Sequence, residues 1–323
     1  MLILAFAIGL FSCGAQSSSA SFTMFSTDCS IKLEGGDSAS ALAEIRSVLT
    51  EIDNQVNVFK EDSDLYKINN SAVNEAVEVG EHTAYLYELS SRLYDETDGA
   101  FNPTMRALSR LWGFSYEDNK SGQHSVPSDA AIGLILPYAR LENIIYDKEA
   151  STLKRTSDKT ELDFGGIAKG YACDLAKAIC NRYAVTKAIV NIGGNLYIVG
   201  SAKIGIGSVK GGDYFATVTV KDASIQTSGD YERYFEVDGV RYCHILGKDG
   251  KSASSGLRGV TLQGANSAYL DGLTTAIMVA GADAGREWIE DKGIAFIIVD
   301  GQLKYETAGF AELNIVDRDY TAK

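Results

Sequence analysis

The chain has 323 residues, 45% of them hydrophobic and 23% charged, enough to bury the core of one large domain or two tightly joined ones. A formal net charge of -13 repels nucleic-acid phosphates on average, and no basic run or aromatic-basic stripe offsets it locally, so nucleic acid is excluded as an expected partner. The same charge leaves room for a phosphorylated small ligand, because a metal ion and converging backbone N–H groups override an average field at one place.

Residues 1–12 form one apolar run, MLILAFAIGLFS, that ends at Cys13-Gly14. About 20 apolar residues are needed to span a bilayer, so the run fits the apolar part of a secretory signal rather than a membrane helix. Leu-Phe-Ser-Cys at 10–13 has the form of a loose bacterial lipobox, with Cys13 the lipidated residue; the alternative is an ordinary cleaved signal with an incidental cysteine. The expectation is a lipid-anchored protein of the bacterial envelope, facing the periplasm and touching membrane only through that anchor. The Ser-rich residues 14–21 read as a flexible tether, and 22–323 as one folded domain of two closely packed lobes. A strand is predicted around 21–33, then a helix over 38–54 with Leu42, Ile45, Leu49 and Ile52 at helical spacing. A second helix fits 82–97, closed by Asp98-Gly99, and a third 103–112, with Pro103 in its first turn. Residues 115–130 are polar and Gly/Ser-rich, an exposed loop or lobe boundary.

The second half has strand candidates at 187–192, 195–199, 214–220, 234–237, 242–246, 259–262 and 294–299, interrupted by helices at 167–183, 268–279 and 282–291. Helices and strands alternate only in part, which favours an α+β fold over a doubly wound parallel sheet. Cysteines beyond Cys13 fall at 29, 173, 180 and 243 with no C-x-x-C and no zinc spacing. Cys173 and Cys180 would lie roughly 10 Å apart along one helix, too far for a disulfide, so all four read as small buried side chains.

Three stretches carry chemistry. In LDFGGIAKGYACDLAKAI, 162–179, Gly165, Gly166 and Gly170 cluster where a helix begins, and Lys169 adds a mobile cation. Glycines there let N–H groups approach an anion while the positive helix end attracts phosphate; close packing is the competing reason for the same glycines. A Walker loop is excluded because Lys169 precedes Gly170 and Tyr171 follows, and GIGSVKGG at 205–212 has the wrong spacing for G-x-G-x-x-G. In AYLDGLTTA, 268–276, Asp271 and Thr275 share one helix face. They are hard oxygen ligands suited to Mg²⁺, unless Asp271 merely caps the helix. In QTSGDYERYF, 226–235, Ser228-Gly229-Asp230 is turn chemistry. A hairpin around Asp238-Gly239 then puts His244 in a strand, where a lone histidine is more often structural than catalytic.

Together these fragments resemble the ApbE-type flavin transferases, from roughly residue 22 to 281. DFGGIAKGYACD at 163–174, IVNIGGN at 189–195, TSGDY at 227–231 and DGLTTA at 271–276 carry the resemblance. GAFNPTMRALSRLWGF at 99–114 and SDLYKIN at 63–69 are similar to further segments of the family. The resemblance implies an α+β, T-fold-like arrangement of mixed sheets with flanking helices and an FAD cleft between lobes. It implies Asp271, Thr275 and the backbone oxygen of Ala168 as ligands of Mg²⁺. It implies Met24, Ser26, Thr27, Asn57, Phe59, Asp163, Gly165, Gly166, Lys169, Ser228, Gly229, Asp230 and His244 as positions near the flavin nucleotide. His244 and Asp271 would be the catalytic pair. The implied reaction moves FMN from FAD onto a Thr or Ser of an acceptor flavoprotein subunit in an envelope redox complex and releases AMP. FAD hydrolysis to FMN and AMP is the alternative, and a non-catalytic flavin-binding lipoprotein a further one. The chain departs from the family in two places. HILGKDGKSAS lacks the usual proline and Thr-Gly after the histidine, and Asn57-Val58-Phe59 stands where relatives commonly have Ser-x-Tyr.

Overall fold

The computed structural model describes residues 16–114, 124–253 and 255–323. The lipobox cysteine Cys13, the whole signal segment 1–13 and most of the proposed lobe boundary, 115–123, lie outside them. In chain order the elements are β1 (Ser17–Met24), β2 (Thr27–Glu34), α1 (Ser38–Val56), α2 (Asp64–Asn70), β3 (Val77–Glu78), α3 (Glu81–Glu96), α4 (Arg106–Leu111), α5 (Asp129–Gly133), β4 (Ile144–Asp147), β5 (Thr152–Arg155), α6 (Ala168–Arg182), β6 (Lys187–Ile192) and β7 (Asn195–Val199). There follow β8 (Ser201–Gly207), β9 (Tyr214–Lys221), β10 (Ser224–Gly229), β11 (Tyr234–Val237), β12 (Val240–Cys243), β13 (Leu257–Gly264), α7 (Ser267–Ala280), α8 (Ala282–Ile289), β14 (Ala295–Asp300), β15 (Lys304–Ala308), β16 (Asn314–Ile315) and β17 (Thr321–Ala322).

A nine-stranded sheet in the order β1-β2-β6-β7-β10-β13-β14-β15-β17 is the frame. Its neighbours pair antiparallel except β15 with β17, as the α+β expectation requires. Everything else described is inserted between neighbouring strands: α1 to α6 with β3 to β5 between β2 and β6, the β8–β9 hairpin between β7 and β10, the β11–β12 hairpin between β10 and β13, α7 and α8 between β13 and β14, and β16 between β15 and β17. Of these, α6 packs against β6 and β7 and α7 against β10 and β13, which is how segments distant in sequence come to wall one cleft.

The long helices follow the apolar periodicity. In α1, Ala41, Ile45, Leu49, Ile52 and Val56 are buried, and the Asp37 side chain caps Ser40 N–H. Three expectations change. Residues 17–21 are paired strand, not tether: Ser17 opposes Glu34 and Ser21 opposes Ser30. Small polar side chains show little hydrophobic pattern, and the ladder of backbone hydrogen bonds decides their conformation. The single strand expected at 21–33 is therefore a hairpin, turned at Phe25 and Ser26 with both φ positive, 52° and 56°. The third helix begins at Arg106, because Asn102 Oδ1 accepts hydrogen bonds from Thr104 N–H and Thr104 Oγ1 at 2.9 and 2.7 Å and holds Pro103 in a turn. Cys29, Cys173, Cys180 and Cys243 are free and buried, as expected.

Candidate functional site

The site is assembled where α6 crosses α7. A Cβ on Gly170 would fall 2.4 Å from Ser267 O, and one on Gly272 2.9 Å from Ile167 Cγ2 at the entry to α6 and 2.5 Å from Leu93 Cδ1 of α3, so glycine at both places permits the close approach. Asp174 seals the crossing: its carboxylate accepts the N–H groups of Ser267 and Ala268 at 2.8 and 2.9 Å, while Asn266 caps Tyr269 N–H at 2.9 Å. Asp271 therefore stands in the second turn of α7 and is no helix cap. It is 2% exposed, and its Oδ2 accepts the Gly170 N–H at 2.9 Å, with Lys169 Nζ at 3.9 Å. Burial pushes this carboxyl upward, opposed by Lys169, the Gly170 N–H and the Asn195 side chain. Thr275, one turn on, has Oγ1 3.4 Å from Ser228 Oγ. A Cβ on Gly166 would lie 3.8 Å from that same Thr275 oxygen. The glycine-rich helix start and the Asp/Thr face, 101 residues apart at Gly170 and Asp271, are thus neighbours.

Both line one cavity of about 960 Å³, within the range of a bound cofactor. Ser26 and Thr27 come to it from the β1–β2 turn, and Gly193 and Gly194 from the β6–β7 turn. Asn57 and Phe59 follow α1, Asp163, Gly165, Gly166, Ala168 and Lys169 belong to the start of α6, and Ser228 and Gly229 end β10. Asp163 N–H is held by Pro103 O at 2.8 Å, and its Oδ1 accepts Gly165 N–H at 2.7 Å. Six basic side chains, Arg106, Arg110, Lys169, Lys210, Arg233 and Arg241, line the cavity against four acidic ones, Asp53, Asp163, Glu232 and Asp271. Several of the basic groups are paired with acids behind the wall, Arg106 and Arg110 with Glu161, Arg241 with Glu236 and Lys210 with Asp317 and Asp319.

His244 also lines the cavity, but it sits in a bend just after β12 rather than within a strand. Its Nδ1 lies 3.2 Å from Arg233 O. A carbonyl only accepts, so Nδ1 carries the proton and Nε2 is left as the acceptor. Burial first, and Arg233 second, push the imidazole well below its ordinary value, which keeps it neutral at pH 7.

Two implied positions do not belong to the cavity lining. Met24 stays in β1, packed against the core; Phe25, at the turn, takes the place expected for it. Asp230 stands in the turn after β10, where its Oδ2 pairs with Arg258 Nε at 2.6 Å, while Ser228 and Gly229 are strand residues opposite Val260 and Gly259. Asn57 does line the cavity, yet its amide is committed: Oδ1 accepts Phe59 N–H at 2.9 Å and Nδ2 donates to Asp53 Oδ1 at 3.1 Å. Missing from the sequence reading were Phe101, Arg106, Leu196, Ile225, Tyr234 and Arg241. GIGSVKGG, rightly rejected as a dinucleotide loop, nevertheless supplies Gly205, Gly207, Lys210, Gly211 and Gly212 to the wall, and a strand, not a helix, follows it.

Fold and site together define an α+β protein with a cleft lined by both basic and acidic side chains, built where a glycine-rich helix start meets an Asp/Thr helix face. The sequence pattern of the ApbE family matches residues 25–298, and the chain belongs to that family. Over 258 residues it is 30% identical to a protein of Klebsiella pneumoniae (strain 342) named FAD:protein FMN transferase, covering 79% of this chain and 80% of the relative. The crystal structure of the ApbE protein from Thermotoga maritima MSB8 superposes with a TM-score of 0.78 at 31% identity, over 93% of this chain and 97% of that one. The apo flavinyl transferase ApbE of Pseudomonas stutzeri does so with 0.76 at 26% identity, over 93% and 95%.

Proposed function

We propose that the cleft binds FAD with a divalent metal ion and transfers the FMN half to a Thr or Ser hydroxyl of an acceptor protein, releasing AMP. The observation that carries this reading is the meeting, in one cavity, of the Gly165-Gly166 helix start, Lys169, the Asp271/Thr275 pair and His244. Among the described residues no group of three or more His, Cys, Asp or Glu side chains could hold a metal. The donors present are one buried carboxylate, one hydroxyl and the Ala168 carbonyl, all hard oxygens. Such a partial set suits Mg²⁺, which shares its shell with water and phosphate. When bound, the ion would neutralise charge on the pyrophosphate.

The remaining steps fall to the chain's own groups. Lys169 and the N–H groups at the α6 start hold the phosphates, and Asp163 fixes the Gly165 N–H that shapes this cradle. His244 Nε2 accepts the proton of the acceptor hydroxyl as its oxygen forms a bond to the FMN phosphorus. The P–O bond to the AMP phosphate breaks, and AMP leaves with the bridging oxygen. Incubation with FAD, Mg²⁺ and envelope redox subunits should yield AMP and an acceptor heavier by one FMN less one water. Absence of both would refute the reading.

Water can replace the acceptor hydroxyl, and Phe59 favours some of that hydrolysis. Its ring lies under the Arg106 guanidinium, 5.2 Å from the centroid, but it lacks the hydroxyl that a tyrosine would offer the nucleotide. Phe59→Tyr is expected to tighten FAD binding about 3- to 10-fold and slow acceptor-free AMP release, since one added hydrogen bond contributes about 0.5–1.5 kcal/mol. Unchanged affinity would show that this position does not touch FAD. The Asn57 amide already holds the turn, so changing Asn57 would test the turn and not the ligand.

The Leu-Phe-Ser-Cys segment supports an envelope location with a lipid on Cys13. Cys13→Ser should move the protein from the membrane to the soluble envelope fraction, because each buried lipid CH₂ contributes about 0.8 kcal/mol. A variant that stays with membranes, together with a parent of unmodified mass, would exclude the anchor.

A further inference from the structure

One wall of the cavity is held from behind by the end of the chain. The connection between β8 and β9, residues 208–213, places Val209, Lys210, Gly211 and Gly212 on the lining. Tyr320, 4% exposed, stacks on Phe215 with centroids 4.3 Å apart. Its hydroxyl oxygen accepts the Val209 N–H at 2.9 Å and lies 3.0 Å from Ser208 Oγ. Lys210 is drawn to Asp317 and Asp319 of the same terminal stretch at 2.7 and 2.6 Å. β16 runs beside β9, with Asn314 opposite Thr217, and the Val316 and Asp317 N–H groups reach Phe215 O at 2.8 and 3.1 Å.

The other side of Val209 is clamped as well. Its carbonyl accepts a hydrogen bond from Arg258 Nη2 at 2.9 Å, and Arg258 is ion-paired with Asp230. Two residues before Asp230, Ser228 Oγ stands 2.8 Å from Thr274 Oγ1 and 3.4 Å from Thr275 Oγ1. Polar contacts therefore link Tyr320, Val209, Arg258 and Asp230, and the backbone at the end of β10 connects Asp230 to Ser228, which touches the Asp/Thr helix face. Residues 310–323 lie beyond the stretch matched by the family pattern.

We propose that this C-terminal strap sets the shape of the ligand cleft, with Tyr320, Arg258 and Asp230 as positioning residues that hold the Val209 wall in register with the Asp271/Thr275 face. The proposal rests on the nucleotide reading of the cleft. Its effect is on ligand binding and not on proton transfer, because the strap touches the wall and none of the reacting groups. Two buried hydrogen bonds end on the Tyr320 oxygen, and Tyr320→Phe removes both while keeping the ring on Phe215.

In the full chain, Tyr320→Phe should speed hydrogen exchange at the Val209 amide at least about 10-fold, with the β2 amides unchanged. KM for FAD should rise about 5- to 20-fold and kcat stay within about twofold, as loss of uniform binding requires. Ser208→Ala, a milder change on the same oxygen, should shift both readouts the same way by less. Faster exchange at Val209 with unaltered KM would overturn the proposal, as would unaltered exchange at Val209, or a fall in kcat at constant KM. Parent protein that binds no FAD and releases no AMP would overturn the nucleotide reading and this one with it. That outcome differs from failure of the strap alone, in which parent and variant bind FAD equally.

Discussion

Asp271→Asn is expected to lower Mg²⁺-dependent AMP release by about 10²–10³-fold while the protein stays folded. The asparagine oxygen can still accept the Gly170 N–H now held at 2.9 Å, so the α6–α7 crossing survives, and what is lost is the charge facing the proposed metal. A loss of about 3–4 kcal/mol of charge stabilisation corresponds to that rate factor. Alanine is the wrong test. A surface ligand could be truncated without harm, but at 2% exposure the deletion strands a buried N–H, at a cost of about 1–3 kcal/mol. The stability of the metal-free protein gives a second readout. Burial raises the Asp271 pKa in the folded state, so the folded form holds its proton more tightly than the unfolded form does. Stability then declines as pH rises from the unfolded value, about 3.9, through the raised folded one. The asparagine variant lacks this decline and should melt no lower than the parent at pH 7 in chelator. A much lower melting temperature would mean that the carboxylate is a structural anchor.

His244→Asn should cut transfer to an acceptor by about 10²–10⁴ in kcat, the usual worth of a positioned base, with FAD affinity within about threefold of the parent. The sign of the pH effect follows from the site. Burial and Arg233 lower the imidazole pKa, so the neutral base is already fully present at pH 7. Activity is lost only as pH falls through the depressed value, and the rate should be flat from about pH 6.5 to 8. Arg233→Ala removes the neighbouring positive charge and should move the acid limb upward. A parent profile that titrates near or above 6.5 would show that His244 is not the base.

Much of this was legible in the sequence wherever the determining interactions are local. The 3.6-residue pattern marks α1, α3, α6 and α7 to within about three residues, since burial of one face dictates both the pattern and the helix. Asp238-Gly239 marks the β11–β12 hairpin because both residues have positive φ, 52° and 77°. The Asp271/Thr275 face and the glycine-rich helix start are each contiguous segments, so their chemistry could be read as fragments.

The sequence by itself could not say that these fragments meet. That follows from the antiparallel nine-stranded sheet, in which β2 pairs with β6 across an insertion of more than 150 residues and the α6–α7 crossing is closed by glycine. Tertiary contact also reassigned single residues. Asp230 pairs with Arg258 outside the cavity lining, Asn57 closes a turn, and the serines at 17–21 complete a strand. None of these leaves a periodic trace, because a buried pair or an edge strand depends on a partner far along the chain. The Tyr320 strap is the extreme case. Its hydroxyl has meaning only against Val209, 111 residues away, and the two meet because β16 runs beside β9, where backbone pairing rather than any local motif fixes the register.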